Sequence, residues 1–266
     1  MIVEKTQAVI DRMNPVTLEE MRNITLMDRL DYKYVAPISF LPDLLEGIMP
    51  FFKVQVNNGV GMAPYATQYL DTPALDMYRM HQNGKLNRQK VRIRTYIDSC
   101  ISFLEVKSKN NKGRTSKVRI PVDYSHITSA EELKEGLSFL EENTPFVPTS
   151  LQPVLSNEFR RITLVNNRKT ERVTIDFDIS FQNYETGETI LLDDLIVLEL
   201  KQDDWQHSNF RDILSRMRIK DFSFSKYSLG TFLTNPAVKG NRFKFQLRQL
   251  NKYTQNIQKT YEPTGN

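Results

Sequence analysis

The chain has 266 residues, of which 39% are hydrophobic and 10% aromatic, so a disordered or collagen-like chain is excluded. The single cysteine, Cys100, can form neither an internal disulfide nor a thiolate-rich metal site, which favours a reducing compartment. The first twenty residues carry charges throughout and no window is apolar enough for a membrane span. We therefore expect a cytoplasmic protein with neither a signal peptide nor a transmembrane helix.

Periodicity and turn residues predict alternating short helices and strands in the first half of the chain. In chain order these are helices at 4–13 and 17–22, a strand at 24–36, a helix at 37–49, a strand at 66–71 and a helix from Pro73 to Gly84. Three strands follow, at 86–98, 101–110 and 114–122. The short turns between them predict an antiparallel meander.

The second half begins with a predicted helix at 129–141, with Ser129 as N-cap and Glu132 completing a capping box. Strands are predicted at 157–166, 170–182 and 194–202, then helices near 208–218 and after Gly240. About eight strands with interspersed helices, and no long βαβ pairs, favour an α+β fold built on an antiparallel sheet or barrel. We assign 1–240 to one domain and 241–266 to a basic C-terminal helix and tail.

Positive charge is concentrated in the meander, although the whole chain has a net charge of only +4. Residues 88–119 hold ten basic side chains and two acidic ones, Asp98 and Glu105, which gives this segment a charge of +8. The rest of the chain sums to −4. Such a concentration indicates a polyanionic partner.

The predicted strands each carry one charged and one apolar face, because side chains alternate with period two. Between 86 and 94, for example, Arg92 and Arg94 alternate with Val91 and Ile93. The charged faces could be solvated, with the apolar faces forming the core. Alternatively, a closed barrel could turn the charged faces inward and cover the apolar faces with helices. Neighbouring like charges without interspersed acids favour the closed barrel, because its cationic lumen would receive phosphate groups.

An ordered set of motifs resembles the VTC domain, the catalytic domain of VTC-type polyphosphate polymerases in the triphosphate tunnel metalloenzyme (CYTH-like) superfamily. The resemblance extends from about Asp28 to about Thr234. It rests on the segments YLDTP, MYRMHQNGKLNRQKVRIRTY, FLEVKSKNNKGRTSKVRI, NEFRRITL, RVTIDFDI, VLELK and FSFSKYSLG. It implies a closed tunnel of eight antiparallel strands with a charged lumen, helices packed outside, a nucleoside triphosphate substrate and Mn²⁺ or Mg²⁺.

Site roles are carried over from the resemblance motif by motif. Phosphate-binding positions are matched by Lys33 in DYKY, Arg92 and Arg94 in KVRIR, Lys107 in LEVK, Lys117 in SKVR, Arg161, Arg172, and Lys226 in FSKY. The basic segment adds Arg88 and Arg119 to this set. Arg92, Arg94, Lys107 and Lys226 are the predicted catalytic residues, and Glu199 in LELK is the predicted metal ligand.

The chain departs from the superfamily pattern at three positions. The usual E-x-E-x-K strand is reduced to Asp31 and Lys33, which puts a second metal in doubt. Thr174 replaces an arginine, and His81 stands where eukaryotic members tend to have an arginine. His81 is either a residue of the site or a surface residue at a helix end. Asp176 and Asp178 are second-tier candidates, and Trp205 is expected to serve packing.

The resemblance implies transfer of the ATP γ-phosphate onto a growing polyphosphate chain, so the expected partners are ATP and polyphosphate. A hydrolase in the same tunnel would instead need a carboxylate to position water, for which Asp31 or Glu105 would serve. A non-catalytic binder of polyphosphate or nucleic acid ranks third, because stacking aromatics are not interleaved with the charges of 88–119. Nucleic acid is therefore not an expected partner, and the oligomeric state is open.

Overall fold

The structure is a computed structural model that describes residues 1–22, 29–112, 114–203 and 206–254. Its α-helices are α1 (Ile2–Ile10), α2 (Leu18–Arg22), α3 (Leu41–Ile48), α4 (Asp76–Gln82), α5 (Gly136–Asn143), α6 (Asn209–Arg216), α7 (Lys226–Thr234) and α8 (Lys244–Leu250). Its strands are β1 (Pro15–Val16), β2 (Arg29–Pro37), β3 (Phe52–Gln55), β4 (Ala63–Asp71), β5 (Arg88–Tyr96), β6 (Ile101–Lys109), β7 (Thr115–Val122), β8 (Gln152–Asn166), β9 (Glu171–Asn183), β10 (Thr189–Leu192) and β11 (Leu195–Asp203).

One large sheet carries the fold, with its main strands in the order β2-β11-β9-β8-β4-β5-β6-β7. All pairs along this path are antiparallel, and the predicted meander β5-β6-β7 is confirmed. Three short strands pair outside this order: β10 pairs with β9, β3 pairs with β8, and β1 pairs with β3. The α+β class is therefore confirmed, with eight α-helices in the described ranges.

The predicted closure into a barrel is wrong, because the end strands β2 and β7 are not paired in the described part of the chain. The outer edge of β2 is used by another segment. The amide N–H of Phe222 donates to the carbonyl of Lys33 at 2.7 Å, and Tyr34 forms an isolated bridge with Asp221. β7, whose side chains are half-buried or exposed, is the opposite edge of the sheet. Residues 221–222 therefore occupy part of the β2 edge that would have to pair with β7 to close a barrel.

Two apolar cores cover the sheet, as the alternation predicted. One lies under α1, α3 and α6 and takes the apolar faces of β9 and β11, including Val173, Ile175 and Leu198. The other gathers the apolar face of β5 and β6 with residues of α4, α5, α7 and α8. Burying large aliphatic side chains in this way stabilises the fold by about 1.5–3 kcal/mol for each. The charged faces of these strands are left for the opposite side of the sheet.

Most predicted elements are present with shifted ends, and one helix of the site is missing from the prediction. α7 is buried on all sides from Tyr227 to Thr234, so it has no amphipathic period to recognise. A Cβ at Gly230 would lie 2.5 Å from the Phe181 ring, so glycine allows α7 to pack closely on β9. The strands β3 and β10 were also not predicted.

Three local predictions need correction. The helix predicted at 129–141 is a 3₁₀ turn followed by α5, because Lys134 has a left-handed backbone with φ 46°. Ser129 makes no capping bond, and Glu132 accepts from the N–H of Thr128 instead. The helix after Pro73 starts only at Asp76. Residues 24–28 of the predicted strand and Trp205 lie outside the described residues.

Two further features of the fold bear on the sequence predictions. Leu247 and Leu250 of α8 belong to the same core as the sheet, and the assignment of 241–266 as a separate tail stays a prediction. No helix in the described ranges is both long and apolar enough to cross a bilayer.

Candidate functional site

β5 supplies the centre of a cationic surface because its residues alternate strictly. Val91 and Ile93 are fully buried in the core, so the side chains of Lys90, Arg92 and Arg94 point to the opposite face, which we call the inner face. In the antiparallel register Arg92 lies opposite Glu105, and Lys90 opposite Lys107. The meander therefore brings together charges that are 13 and 17 positions apart in the chain.

Glu105 is the counter-ion of this part of the inner face and is fully buried. Its carboxylate accepts two hydrogen bonds from Arg92, at 2.8 and 2.6 Å, and one from Lys117 at 3.0 Å. Arg119 lies farther away, at 3.9 Å. Burial alone would raise the pKa of Glu105, but Arg92, Arg94 and Lys117 lower this pKa to about 2. Glu105 is thus a fixed anion whose oxygens are occupied by cations.

A second ion cluster joins β8, β9 and α7. Arg161 donates to both oxygens of Asp176, at 2.6 and 2.7 Å, and Lys226 at the start of α7 donates to the same carboxylate. Burial opposes ionisation of Asp176, but Arg161 and Lys226 hold its pKa at about 2. Burial also lowers the pKa of Lys226 to about 8, although Asp176 acts in the opposite direction. Lys226 therefore loses its proton more readily than an ordinary lysine.

β2 and β11 add the third group. Glu199 lies opposite Lys33 in register, and its carboxylate is 3.8 Å from the Lys201 ammonium. Burial alone would raise the pKa of Glu199, but Lys201, Lys33 and Arg161 lower it well below its ordinary value. Burial lowers the pKa of Lys107 to about 8, with Glu199 acting against this shift. Lys107 is on β6 and Glu199 on β11, so this interaction spans the sheet from one side to the other.

Residues 224–226 show directly how far the sheet curls. Lys33 on β2 donates to the carbonyl of Phe224 at 2.9 Å, and Lys90 on β5 donates to the hydroxyl of Ser225 at 2.7 Å. Strands near opposite ends of the strand order therefore reach adjacent residues of one segment. The inner face is consequently concave, and its charged side chains converge although the sheet is open.

We call the converging set of basic residues the cationic cluster. Its members are Lys33, Lys90, Arg92, Arg94, Lys107, Lys117, Arg119, Arg161 and Lys226. The carboxylates among them are Glu105, Asp176 and Glu199, so positive charge is in excess. A buried surplus of like charge is unfavourable unless an anion compensates it. The geometry therefore suits a ligand with several negative charges, such as a phosphate chain.

Arg94 shows this excess most clearly. Its Nε is buried and has no hydrogen-bond partner among the described residues. Burial, Arg92 and Arg161 lower the pKa of Arg94 to about 10, so its guanidinium is still charged at neutral pH. An arginine offers a planar fork of donors that matches a phosphate group. Arg94 therefore retains a buried donor, its Nε, that an anionic ligand could use.

Four predicted site residues occupy more peripheral positions, and two of them, Lys117 and Arg119, lie at the exposed margin of the cationic cluster. Arg88 lies at the start of β5, where it donates to the carbonyl of Lys85 at 2.7 Å. Arg172 donates to the carbonyl of Met21 at 3.1 Å, next to α2. Lys117 and Arg119 reach Glu105 but are 40% and 42% exposed on the edge strand β7. The phosphate-binding roles assigned to these residues stay predictions.

His81 lies in the last turn of α4 and faces the cationic residues Lys90, Arg88 and Lys33. Burial and then these three cations lower the pKa of His81 to about 3, so the imidazole is neutral at neutral pH. This position favours the interpretation of His81 as part of the site over a surface residue at a helix end.

Regular alternation along β9 would put Asp178 on the inner face together with Asp176, because the two residues are two positions apart. The structure places Asp178 elsewhere. Its backbone has φ 51°, and the pairing of β8 with β9 shifts register between Glu158 and Arg160. This bulge places the Asp178 carboxylate 3.7 Å from Arg160, whose guanidinium lies over the Phe177 ring. Asp176 instead lies at the centre of the ion cluster with Arg161 and Lys226, so it belongs to the candidate site more clearly than the sequence indicated.

The carboxylates near the cationic cluster suit a divalent cation whose other ligands come from a bound phosphate group and water. Within the described ranges, His, Cys, Asp and Glu side chains form no group of three that could hold a metal. Glu199 is nevertheless an ionised carboxylate on the cationic face, and Asp31 is exposed at a diagonal position of the neighbouring strand. Mg²⁺ and Mn²⁺ accept one or two carboxylates together with phosphate oxygens and water. The residues present therefore fit such an ion.

The prediction from sequence missed three contributors. Lys90 was noted in the charge pattern but not assigned to the site, and Ser225 and the counter-ion role of Glu105 were not assigned at all. Lys90, Arg92 and Arg94 stand at every second position of β5, and this spacing could have assigned Lys90 to the site. Ser225 offered no such signal, because its contact with Lys90 joins residues 135 positions apart.

The sequence profile of the VTC domain matches residues 28–235, which includes every member of the cationic cluster. The chain matches no curated protein. Among solved structures, it is similar to the PH1819 protein from Pyrococcus horikoshii OT3, with 12% identity, 77% of this chain and 98% of that chain covered, and a TM-score of 0.42. It is also similar to HpAC1 from Hippeastrum, a putative adenylyl cyclase with a dominant triphosphatase activity. That likeness has 13% identity, covers 76% of this chain and 94% of that chain, and has a TM-score of 0.43.

Proposed function

Because the chain belongs to the VTC domain family, we propose that it is a polyphosphate polymerase that transfers the γ-phosphate of ATP onto a growing phosphate chain. The observation that carries this proposal is the cationic cluster, in which buried arginine and lysine side chains exceed the carboxylates that compensate them. A linear polyanion would supply the missing negative charge along the whole inner face.

In the proposed reaction, an oxygen of the terminal phosphate of the chain attacks the γ-phosphorus of ATP. The bond between this phosphorus and the β,γ-bridging oxygen breaks, and ADP leaves with that oxygen. The attacking phosphate is already ionised, so the protein needs no general base. Catalysis then depends on aligning the two reactants and neutralising the oxygens of the transferred group.

The chain's own residues supply that alignment and neutralisation. The Nε of Arg94 is buried on the inner face without a hydrogen-bond partner among the described residues, and Arg92 is held in place by its two bonds to Glu105. Lys107 on β6 and Lys226 at the start of α7 add ammonium groups. Such preorganised donors stabilise developing charge more strongly away from bulk water.

Mn²⁺ or Mg²⁺ belongs to the proposal through Glu199. Glu199 would hold the ion, with Asp31 as a further carboxylate near it, and the ion would neutralise phosphate oxygens as a Lewis acid. Lys201 and Lys33 keep Glu199 ionised and hold it in position on the inner face.

The contacts of Glu105 argue against the role in hydrolysis that the sequence allowed for it. A carboxylate that positions water needs a free oxygen, whereas both oxygens of Glu105 accept bonds from Arg92 and Lys117. Asp31 is exposed and would be the water-positioning group of a hydrolase. Hydrolysis of triphosphates is thus an alternative outcome of the test below.

The test is incubation of the protein with ATP and Mn²⁺, followed by gel electrophoresis for long phosphate polymers and a parallel assay of free phosphate. We expect long polymers from the wild type and from Lys112→Ala, a control in an exposed turn, but not from Lys107→Ala. Free phosphate without polymers would identify a hydrolase. Salt-sensitive binding of RNA with no metal-dependent turnover would identify a binding protein and contradict the proposal.

A further inference from the structure

Four aromatic side chains form a continuous row across the inner face beside the cationic cluster. They are Phe159, Tyr65, Tyr96 and Phe103, on β8, β4, β5 and β6. Successive ring centroids are 5.4, 5.0 and 5.9 Å apart. The sequence gives little sign of this aromatic row, because its members come from four strands and meet only through cross-strand pairing.

The two ends of the aromatic row differ in exposure. Tyr65 and Phe159 are buried and stacked, and the Arg161 guanidinium lies 5.2 and 5.1 Å from their centroids. Tyr96 and Phe103 are only half-buried, although Tyr96 also packs against the core. The inner end therefore serves packing, whereas the outer end is partly accessible to a ligand.

An arginine extends the outer end of the row. The Arg119 guanidinium lies 4.1 Å from the centroid of Phe103, and the Arg119 side chain is 42% exposed. Its contact with the carboxylate of Glu105 is long, at 3.9 Å, so this ion pair holds it only loosely. Guanidinium planes and aromatic rings are the surfaces on which nucleobases stack in proteins that bind nucleotides and single strands.

The outer end is also next to the donors proposed for phosphate. Phe103 lies directly opposite Arg94 in register. From Arg94, the inner-face residues Arg92 and Lys90 follow along β5 in steps of about 7 Å, which is the rise of two strand residues. A base stacked at Phe103 would thus place the attached phosphates along this line of cations.

From this geometry we propose that Phe103 and Arg119, with Tyr96 packed edge-on against Phe103, form a stacking subsite for the nucleobase of a nucleoside triphosphate whose phosphates lie on the cationic cluster. The proposal rests on the proposed function and adds the part of the substrate that a phosphate chain lacks. It also assigns an orientation, with the base at the β5–β6 hairpin and the phosphates directed toward Lys90.

The experiment compares ATP with tripolyphosphate, which has the same linear triphosphate and no nucleoside. Calorimetric titration in EDTA measures both dissociation constants without turnover. Phe103→Leu keeps an apolar side chain but removes the stacking ring, and Tyr96→Leu removes the ring that packs edge-on against Phe103. Phe245→Leu is the control because Phe245 is an exposed phenylalanine on α8. We expect roughly 5- to 100-fold weaker ATP binding by Phe103→Leu and unchanged tripolyphosphate binding.

Arg119→Lys provides a third variant, on an exposed edge strand where folding is little affected. It keeps the charge but removes the guanidinium plane, so it should weaken ATP binding more than tripolyphosphate binding. The fluorescence of 2-aminopurine riboside triphosphate should be quenched by the wild type and less by Phe103→Leu, because quenching reports stacking.

Three outcomes distinguish the inferences. Equal affinity of the wild type for ATP and tripolyphosphate, or equal losses for both ligands in the variants, would overturn the stacking subsite and leave the proposed function standing. Binding of neither ligand by the wild type would overturn both. A selective loss of ATP binding in Phe103→Leu, Tyr96→Leu and Arg119→Lys, with Phe245→Leu unchanged, supports the subsite.

Discussion

Replacing Glu105 with glutamine tests whether the cationic cluster holds uncompensated charge. Glutamine has nearly the same shape, so Glu105→Gln removes the charge and one acceptor oxygen but leaves no cavity. It presents an amide NH₂ group to donors that now bond the carboxylate, namely Arg92 and Lys117. The free protein should lose stability, because the largely buried Arg92 and the partly exposed Lys117 both lose their fixed counter-ion.

The structure supports a rough magnitude. The pKa of Glu105 is lowered from 4.5 to about 2, and each unit corresponds to 1.36 kcal/mol, so its ionised form contributes about 3 kcal/mol at neutral pH. This agrees with the 3–5 kcal/mol typical of breaking a buried ion pair. For a chain of this size we expect the melting temperature to fall by about 6–12 °C.

Tripolyphosphate should reverse much of this loss. A ligand that binds only the folded state stabilises it by about 2.7 kcal/mol at 100 times its dissociation constant. Without Glu105, the cations have more charge to share with a phosphate chain, so the ligand should raise the melting temperature of Glu105→Gln more than that of the wild type. The assay is thermal unfolding at pH 7 with and without tripolyphosphate.

Glu158→Gln is the matched control, since Glu158 is an exposed glutamate on β8. It should change stability by no more than about 0.5 kcal/mol. Two results would contradict an excess of positive charge in the cationic cluster. One is a Glu105→Gln variant as stable as this control, and the other is equal stabilisation of the two variants by tripolyphosphate. Either result would mean that the cationic cluster is already neutralised by something other than Glu105.

Three further predictions concern binding and turnover. Glu199→Gln should abolish metal-dependent turnover and should also lower the melting temperature of the folded chain, because Lys201 and Lys33 lose their counter-ion; polymer formation at normal rate would remove Glu199 from the mechanism. Tripolyphosphate affinity should fall by roughly tenfold or more between pH 7 and 9, because Lys107 and Lys226 are charged below their pKa of about 8 and lose protons above it. Calorimetry in Lys226→Met should show a weaker pH dependence, and equal dependence would refute the assignment. Arg94→Lys keeps the charge but loses the planar fork, so steady-state assays should show a rate lower by about 10²-fold, whereas a wild-type rate would show that only its charge matters.

Much of the inner face could be predicted from local alternation. A strand buries every second residue, so Val91 and Ile93 in the core require Arg92 and Arg94 on the other side, whatever the rest of the fold is. The same argument correctly separated Glu199 from Leu198 and Leu200. The order of motifs then indicated the VTC domain, and residues 28–235 match that family.

The alternation of residue types could not indicate where a strand departs from regular pairing, or which helix packs against the sheet. The bulge between β8 and β9 moves Asp178 out of the inner face, because a register shift depends on the pairing of two strands. α7 was missed because a helix buried on all sides has no polar face. Closure was predicted from charge, but the edge of β2 bonds residues 221–222 instead of β7.

The sequence alone therefore determined which side chains share a face wherever a strand is regular, since that depends only on the geometry of neighbouring residues along the backbone. The tertiary structure decided which residues meet: Lys90 with Ser225, and Lys226 with Asp176. These contacts join residues far apart in the chain, and they exist only because the sheet curls and α7 packs against it. Electrostatic energies depend on distance and burial, so the charge excess became visible only when the strands were placed together.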